Sequence, residues 1–355
     1  MDTELQKVLR FFQLKRILIP LILGLGVATV LLIKDFNKDA FLDIHWSVYT
    51  FLWLLVALCL QAIRDIAYMY RLRVLTDKRI SWRHSFDVIM LWEFASSITP
   101  SIVGGSAIAL FIVNREGISM GRTTAIVMIT AMLDELFYIT MVPVVILVIG
   151  IDKLFIGDAG FLMNLGGKQA FLFGYAFILI LTTIITSAIF FTPKTFKSII
   201  VNITSLPILR NWRRKAIQTG NDIIVTSKEM KGKPAMFWVK AFGATLFSWS
   251  ARFWVVNALI MAFRTSSDQF THIGDQFLIY GRQLVMWVIL LVSPTPGGSG
   301  VAEYAFPIFL GEFTPPGLGM ALGLLWRLFS YYPYLFIGFI ILPFWIRRTY
   351  IKKKF

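Results

Sequence analysis

An all-α polytopic membrane protein is the fold class that this sequence predicts, on three observations. The 355 residues are 57% hydrophobic and 15% charged, with a mean hydropathy of +0.71. A soluble domain of this size has too little polar surface to cover so much apolar chain. Apolar runs long enough to cross a bilayer recur throughout, centred on 17–33, 46–63, 123–150, 170–192, 235–263, 276–292 and 318–346. The net charge of +15 is sorted unevenly among the connections between those runs, and that unevenness sets a topology.

The first run sits where a signal peptide would. The "LLIKDFNKDA" that follows has no small-residue cleavage site, so the run is taken as a span. Cys59, the single cysteine, falls in the second run, which excludes an intrachain disulfide.

Basic residues gather at the N-terminus, in 64–83, in the turn holding Arg115 and Arg122, in 193–234 and in the tail "RRTYIKKKF". These places hold 26 of the 35 Lys and Arg. Residues 34–45, 151–169, 264–275 and 312–317 hold five, beside eight Asp and Glu. The positive-inside rule puts the first group in the cytoplasm and the second outside, with both termini inside.

Residues 64–83 and 114–122 then lie on one side, yet the segment between them is apolar and must enter the membrane and return. The same holds for the segment between 264–275 and 312–317. The chain is thus expected to be one integral membrane domain, 1–355, of six full spans and two membrane-entering hairpins. The first half is 46–192 with hairpin 86–113, and the second is 235–346 with hairpin 276–311. The basic cytoplasmic connection 193–234 joins them.

The two hairpins echo each other. One turns at "SITPSIVGGSA", with Thr99 and Pro100 followed by Gly104 and Gly105; the other turns at "SPTPGGSG", with Thr295 and Pro296 followed by Gly297 and Gly298. A charged span follows each: Asp134 lies 34 residues after Pro100, and Arg327 lies 31 after Pro296. Opposite entry sides make this an inverted-topology repeat, a pattern that marks transporter binding sites. Chance matches between two Pro- and Gly-bearing turns would look the same.

Irregular backbone at membrane depth survives only where protein buries it or water bathes it. Each hairpin's return arm begins just after the glycines, where free N–H groups and a positive dipole end suit an anionic group. Ser106 and Ser299 are candidate caps for those arms.

Glu93, Asp134, Glu135, Arg252, Arg282, Glu303 and Arg327 all lie within apolar stretches, where a charge facing lipid is costly. They are expected to face the bundle interior. Arg252, Arg282 and Arg327 are candidates to fork onto a lipid phosphate, with the carboxylates as counter-ions or proton carriers. The alternative is that the charges form fixed ion pairs holding helices in register. Lys240 lies one turn into its span and is expected to snorkel. Residues 208–233 are expected to form a basic helix on the cytoplasmic surface, with Ile208, Trp212, Ile217, Ile223 and Ile224 as an imperfect apolar set, or else a solvated basic loop. Trp46, Trp82, Trp92 and Trp345 fall near span ends and are expected to anchor at the interface.

His45, His84 and His272 are scattered without zinc-ligand spacing, and the glycines form no phosphate-binding loop. No metal or cofactor is expected, and no nucleic-acid partner. Small residues permit a homodimer as readily as packing within one chain.

The motifs "TPSIVGGSAIALFIVNREGIS…AMLDEL" and "SPTPGGSGVAEYAF" resemble those of the lysylphosphatidylglycerol synthase transmembrane family, also called flippase-like, over roughly residues 15–345. That family includes the membrane halves of bacterial multiple-peptide-resistance proteins. The resemblance implies a bacterial or archaeal inner-membrane protein that moves a phospholipid or isoprenoid-type lipid between leaflets. It also implies Glu303 and Asp134 as cavity residues. Many relatives carry arginines near "SAIAL" and "AMLDE", where this chain has none. The leading expectation is a flippase-like transporter of an anionic lipid. An intramembrane enzyme acting on headgroups and a non-transporting scaffold for a lipid synthase are the competing classes.

Overall fold

The computed structural model describes residues 46–99, 102–155, 167–264, 273–291 and 295–351, with isolated positions between 18 and 44. The first apolar run, 17–33, falls largely outside the described residues, and Pro100 does so entirely. Among the described residues every regular element is helical.

Helix α1 (Val48–Leu75) begins at a capping box. The Ser47 hydroxyl accepts from the Thr50 N–H at 3.3 Å, and the Thr50 hydroxyl accepts from the Ser47 N–H at 3.4 Å. Helices α2 (Trp82–Ile98) and α3 (Ile102–Arg115) pack against each other across the Thr99 turn. Gly105 makes that close approach possible, because a Cβ there would overlap the Ser96 side chain. Helix α4 (Met120–Ile149) leads through a turn of helix, Ile151–Leu154, towards α5 (Gly167–Thr186), which runs on as a π-helical turn.

Two surface helices follow, α6 (Pro193–Ile203) and α7 (Arg213–Lys231), then α8 (Ala235–Ala262), which packs along α1. The second half holds α9 (Ile273–Leu291), α10 (Val301–Leu310), α11 (Gly319–Ser330) and α12 (Tyr332–Ile346).

Four stretches among the described residues are long and apolar enough to cross a membrane: Val48–Leu75, Met120–Ile149, Phe171–Phe191 and Gly319–Tyr350. Their outer faces carry large apolar side chains such as Phe51, Leu55, Phe173, Phe177, Phe336 and Phe344, all exposed, as lipid contact requires. The last stretch is not one continuous helix. Tyr331 (φ −129°, ψ −59°) breaks it into α11 and α12, and Pro333, which lacks an N–H, suits the first turn of the new helix.

Two apolar cores are stacked along the bundle, with polar side chains between them. One core takes α4 as far as Leu133 and the other takes it from Phe137, leaving Asp134 and Glu135 between. In α1 the switch falls between Ala57 and Tyr68, around Gln61, Arg64 and Asp65. In α8 it falls between Ala241 and Trp249, at Thr245 and Ser248; across α11 and α12 it falls between Trp326 and Tyr331, at Arg327 and Ser330. The first core reaches Ile80 and Ile118 in the basic turns, and the second reaches Leu154 and Phe313 beside the acidic ones.

This layer corrects the reading of 64–83 as a uniformly cytoplasmic basic stretch. Helix α1 continues to Leu75 and turns Arg64 (0% exposed) and Arg71 (4%) into the bundle. A count of charges along the chain cannot see this, because burial of an arginine depends on carboxylates supplied by other helices. The tryptophans divide similarly. Trp46 and Trp82 are exposed, while Trp345 is buried and donates to Glu116 at 2.8 Å. In the surface pair, Ile223 is buried, and Trp212 and Ile217 are exposed. Val225 of α7 packs on Gly121 of α4. Lys240 is exposed at the start of α8.

Candidate functional site: a charged cavity between the helix breaks

A cavity of about 280 Å³ opens at the polar layer. Mid-helix residues of α4 and α8 and the last two turns of α1 wall it, and so do both helix breaks: Ser97 and Thr99 on one side, Thr295, Gly297 and Gly298 on the other. Its charged lining is Arg71, Glu93, Asp134, Glu135, Arg252 and Arg327.

Most of these charges are paired. Arg71 forks onto Asp134 at 2.5 and 3.3 Å and donates to Thr245 at 3.0 Å, while the Trp249 indole donates to Asp134 at 2.7 Å. Glu93 takes Arg64 at 2.7 Å. Arg64 also meets Asp65 at 2.8 Å and donates to the Tyr334 hydroxyl, which itself donates to Asp65 at 2.7 Å. Charge-assisted, forked contacts of this kind fix helix register.

Arg327 lines the cavity but is committed. Its Nε meets Glu303 at 3.0 Å, its Nη2 donates to the Gly297 carbonyl at 3.0 Å, and its guanidinium lies 3.6 Å from the Tyr331 ring centre. Glu303 stands behind the wall, 1% exposed, and its second oxygen accepts from the Gly300 N–H at 2.7 Å. The carboxylate thus caps the first turn of α10 from its third position. The backbone donors expected to be free at this turn are used internally: Gly298 N–H bonds to Thr295, Ser299 N–H to Pro296 and Ala302 N–H to Gly298. Ser299 is not the cap. Its hydroxyl donates to Tyr331 at 3.1 Å.

Arg282 is placed away from the cavity. It clamps the far end of the bundle, meeting Glu312 at 2.7 Å and donating to the carbonyls of Lys153 and Phe309. Helix α9 reaches the cavity only in its last turns, at Trp287 and Leu290, so Arg282 at its middle lies outside.

Two charges remain. Arg252 stacks on Trp249 and Trp287, 5.0 and 4.5 Å from the ring centres, with no carboxylate within ion-pair distance among the described residues. Glu135 has no ion pair or hydrogen bond among the described residues, and one of its oxygens is buried. Arg64, Arg71, Tyr68, Tyr334 and the Trp249–Trp287 pair belong to the site but were not singled out by the sequence. Two arginines seven residues apart, on one face of the second half of α1, were the signal available for the first two.

A UPF0104 membrane protein of Archaeoglobus fulgidus is 26% identical to this chain over 339 residues, covering 88% of this chain and 92% of the relative. No solved structure matches significantly. The model of the lysylphosphatidylglycerol synthase TM region family matches residues 17–338, from the first apolar run to the middle of α12, and the chain belongs to that family.

Proposed function

We propose that this protein moves a phosphate-bearing lipid, an anionic phospholipid or an isoprenoid phosphate, between membrane leaflets. The headgroup passes through the charged cavity while the acyl or prenyl chains stay in lipid. In this reading α2–α3 and α9–α10 are hairpins that enter from opposite sides, six spans surround them, and both termini lie in the cytoplasm. The membrane is the cytoplasmic one.

One observation carries the reading. The two helix breaks meet at a polar cavity that lies against the middle of α4, a helix long and apolar enough to cross a membrane. A headgroup crossing a bilayer needs a polar station at that depth, and repeated broken helices are how transporters build one.

The test is loss of sidedness. The full chain is reconstituted in vesicles carrying an acyl-labelled phospholipid in one leaflet, whose redistribution is followed by quenching. Rates above those of protein-free vesicles, lowered by Arg252→Ala, support transport. Rates equal to empty vesicles under proton gradients of either sign overturn it. Mass spectrometry of the recovered lipid separates transport, which leaves it unchanged, from headgroup chemistry.

A further inference from the structure

The charge pattern of the cavity goes further than a phosphate. Three of its ion pairs are complete: Arg71 with Asp134, Arg64 with Glu93, and Arg327 with Glu303. The remaining charges are one cation, Arg252, and one anion, Glu135, both on the lining. Neither has a partner among the described residues, in a layer where an uncompensated charge is costly.

They are also ordered in space. Glu135 and Tyr138 are one turn apart on α4, and Trp249 and Arg252 are one turn apart on α8, so each pair shares a helix face. Tyr138 joins the two, its ring 5.2 Å from that of Trp249. Tyr138 shares the cavity lining with both Arg252 and Glu135. Tyr138 is 2% exposed, lines the cavity, and its hydroxyl has no hydrogen-bond partner among the described residues. An orphaned buried hydroxyl in a cavity shared with an unpaired cation and an unpaired anion marks a place for a ligand carrying both signs.

We propose that the headgroup held here is zwitterionic, of the phosphoethanolamine kind, with a phosphate beside a primary ammonium. Arg252 takes the phosphate, and Glu135 takes the ammonium. The Tyr138 hydroxyl bonds between them. A purely anionic headgroup satisfies Arg252 and leaves Glu135 facing it as a like charge.

The inference rests on the reading of this cavity as a headgroup site, and its test measures binding without requiring transport. Native mass spectrometry of the detergent-solubilised full chain compares dihexanoyl phosphatidylethanolamine with dihexanoyl phosphatidylglycerol. The ethanolamine lipid should bind about tenfold more tightly, the scale of one charged hydrogen bond. Glu135→Gln, an isosteric change, should bring the two affinities together, and Arg252→Gln should weaken both. Equal or tighter binding of phosphatidylglycerol, or a preference that survives Glu135→Gln, overturns the proposal. Preferential binding of the ethanolamine lipid without movement in vesicles sustains it and sinks the transport reading. Movement of lipid in vesicles without a binding preference for the ethanolamine lipid does the reverse.

Discussion

The Tyr331 hydroxyl donates to the Ser97 carbonyl at 2.9 Å, joining the end of α2 to the break between α11 and α12 across 234 positions of sequence. Ser97 stands in the last turn of its helix, where carbonyls lack intrahelical partners. The same hydroxyl accepts from Ser299 in the second break. One phenol therefore ties together both interrupted segments. Tyr331→Phe keeps the ring and removes both bonds, taking from the Ser97 carbonyl its hydroxyl donor. We expect a loss of about 1–3 kcal/mol in the thermal unfolding of the solubilised protein. An unchanged melting temperature would mean that the two breaks are held together by packing alone.

Gly297 lies under the same ring. Its φ is +58°, and a Cβ there would overlap Tyr331. Gly297→Ala combines left-handed backbone strain of about 1–2 kcal/mol with that clash. Gly243 in α8 has open space where a Cβ would sit, with no neighbouring atom within 4 Å, and Ala is the better helix former. The expected outcome is a clear drop in melting temperature for Gly297→Ala and none for Gly243→Ala, measured side by side.

Arg71 and Arg252 line one cavity and should respond oppositely to removal. Arg71→Ala strips Asp134 of a forked partner in a buried setting, at a cost of about 3–5 kcal/mol. Arg252→Ala removes a cation with no carboxylate partner among the described residues, so stability should hold or rise while lipid movement falls. Melting curves and vesicle assays on the same preparations check both halves. A destabilised Arg252→Ala protein would show that the cation serves the fold.

Asp77, in the turn between α1 and α2, gives a pH dependence. Burial pushes its carboxyl up, but hydrogen bonds and charge from Lys233 and Arg122 outweigh this and hold it below its ordinary 3.8. A depressed folded value means that the contact contributes stability above pH 3.8, which is lost as pH falls through the lower folded value. The melting-temperature gap between wild type and Asp77→Asn should be steady above about pH 5. It should then close towards zero in stronger acid. A gap independent of pH would exclude the ionised pair as its source.

Much of the site was legible in part. Glu93, Asp134, Glu135, Arg252 and Arg327 stood out as charges in apolar runs, and the structure brings all five to one cavity. Arg64 and Arg71 were hidden because they adjoin a basic turn and look continuous with it. Glu303 and Arg282 were legible as buried charges, yet one caps a helix behind the wall and the other clamps the bundle's end. Those roles depend on which backbone groups lie opposite, which composition does not encode.

Residue order alone sets the class and the rhythm of this protein. Apolar runs demand helices, because backbone in lipid must satisfy its own hydrogen bonds, and the proline and glycine clusters mark where those helices stop. It took the folded chain to make the two stops meet at one phenol, and to break the long final run at Tyr331. Among the described residues, folding also sorted the charges at the cavity into three closed pairs and two open ends. The reason is range. Helix formation depends on neighbours three and four residues away, whereas the pairing of a buried charge depends on partners that the fold brings from any distance along the chain.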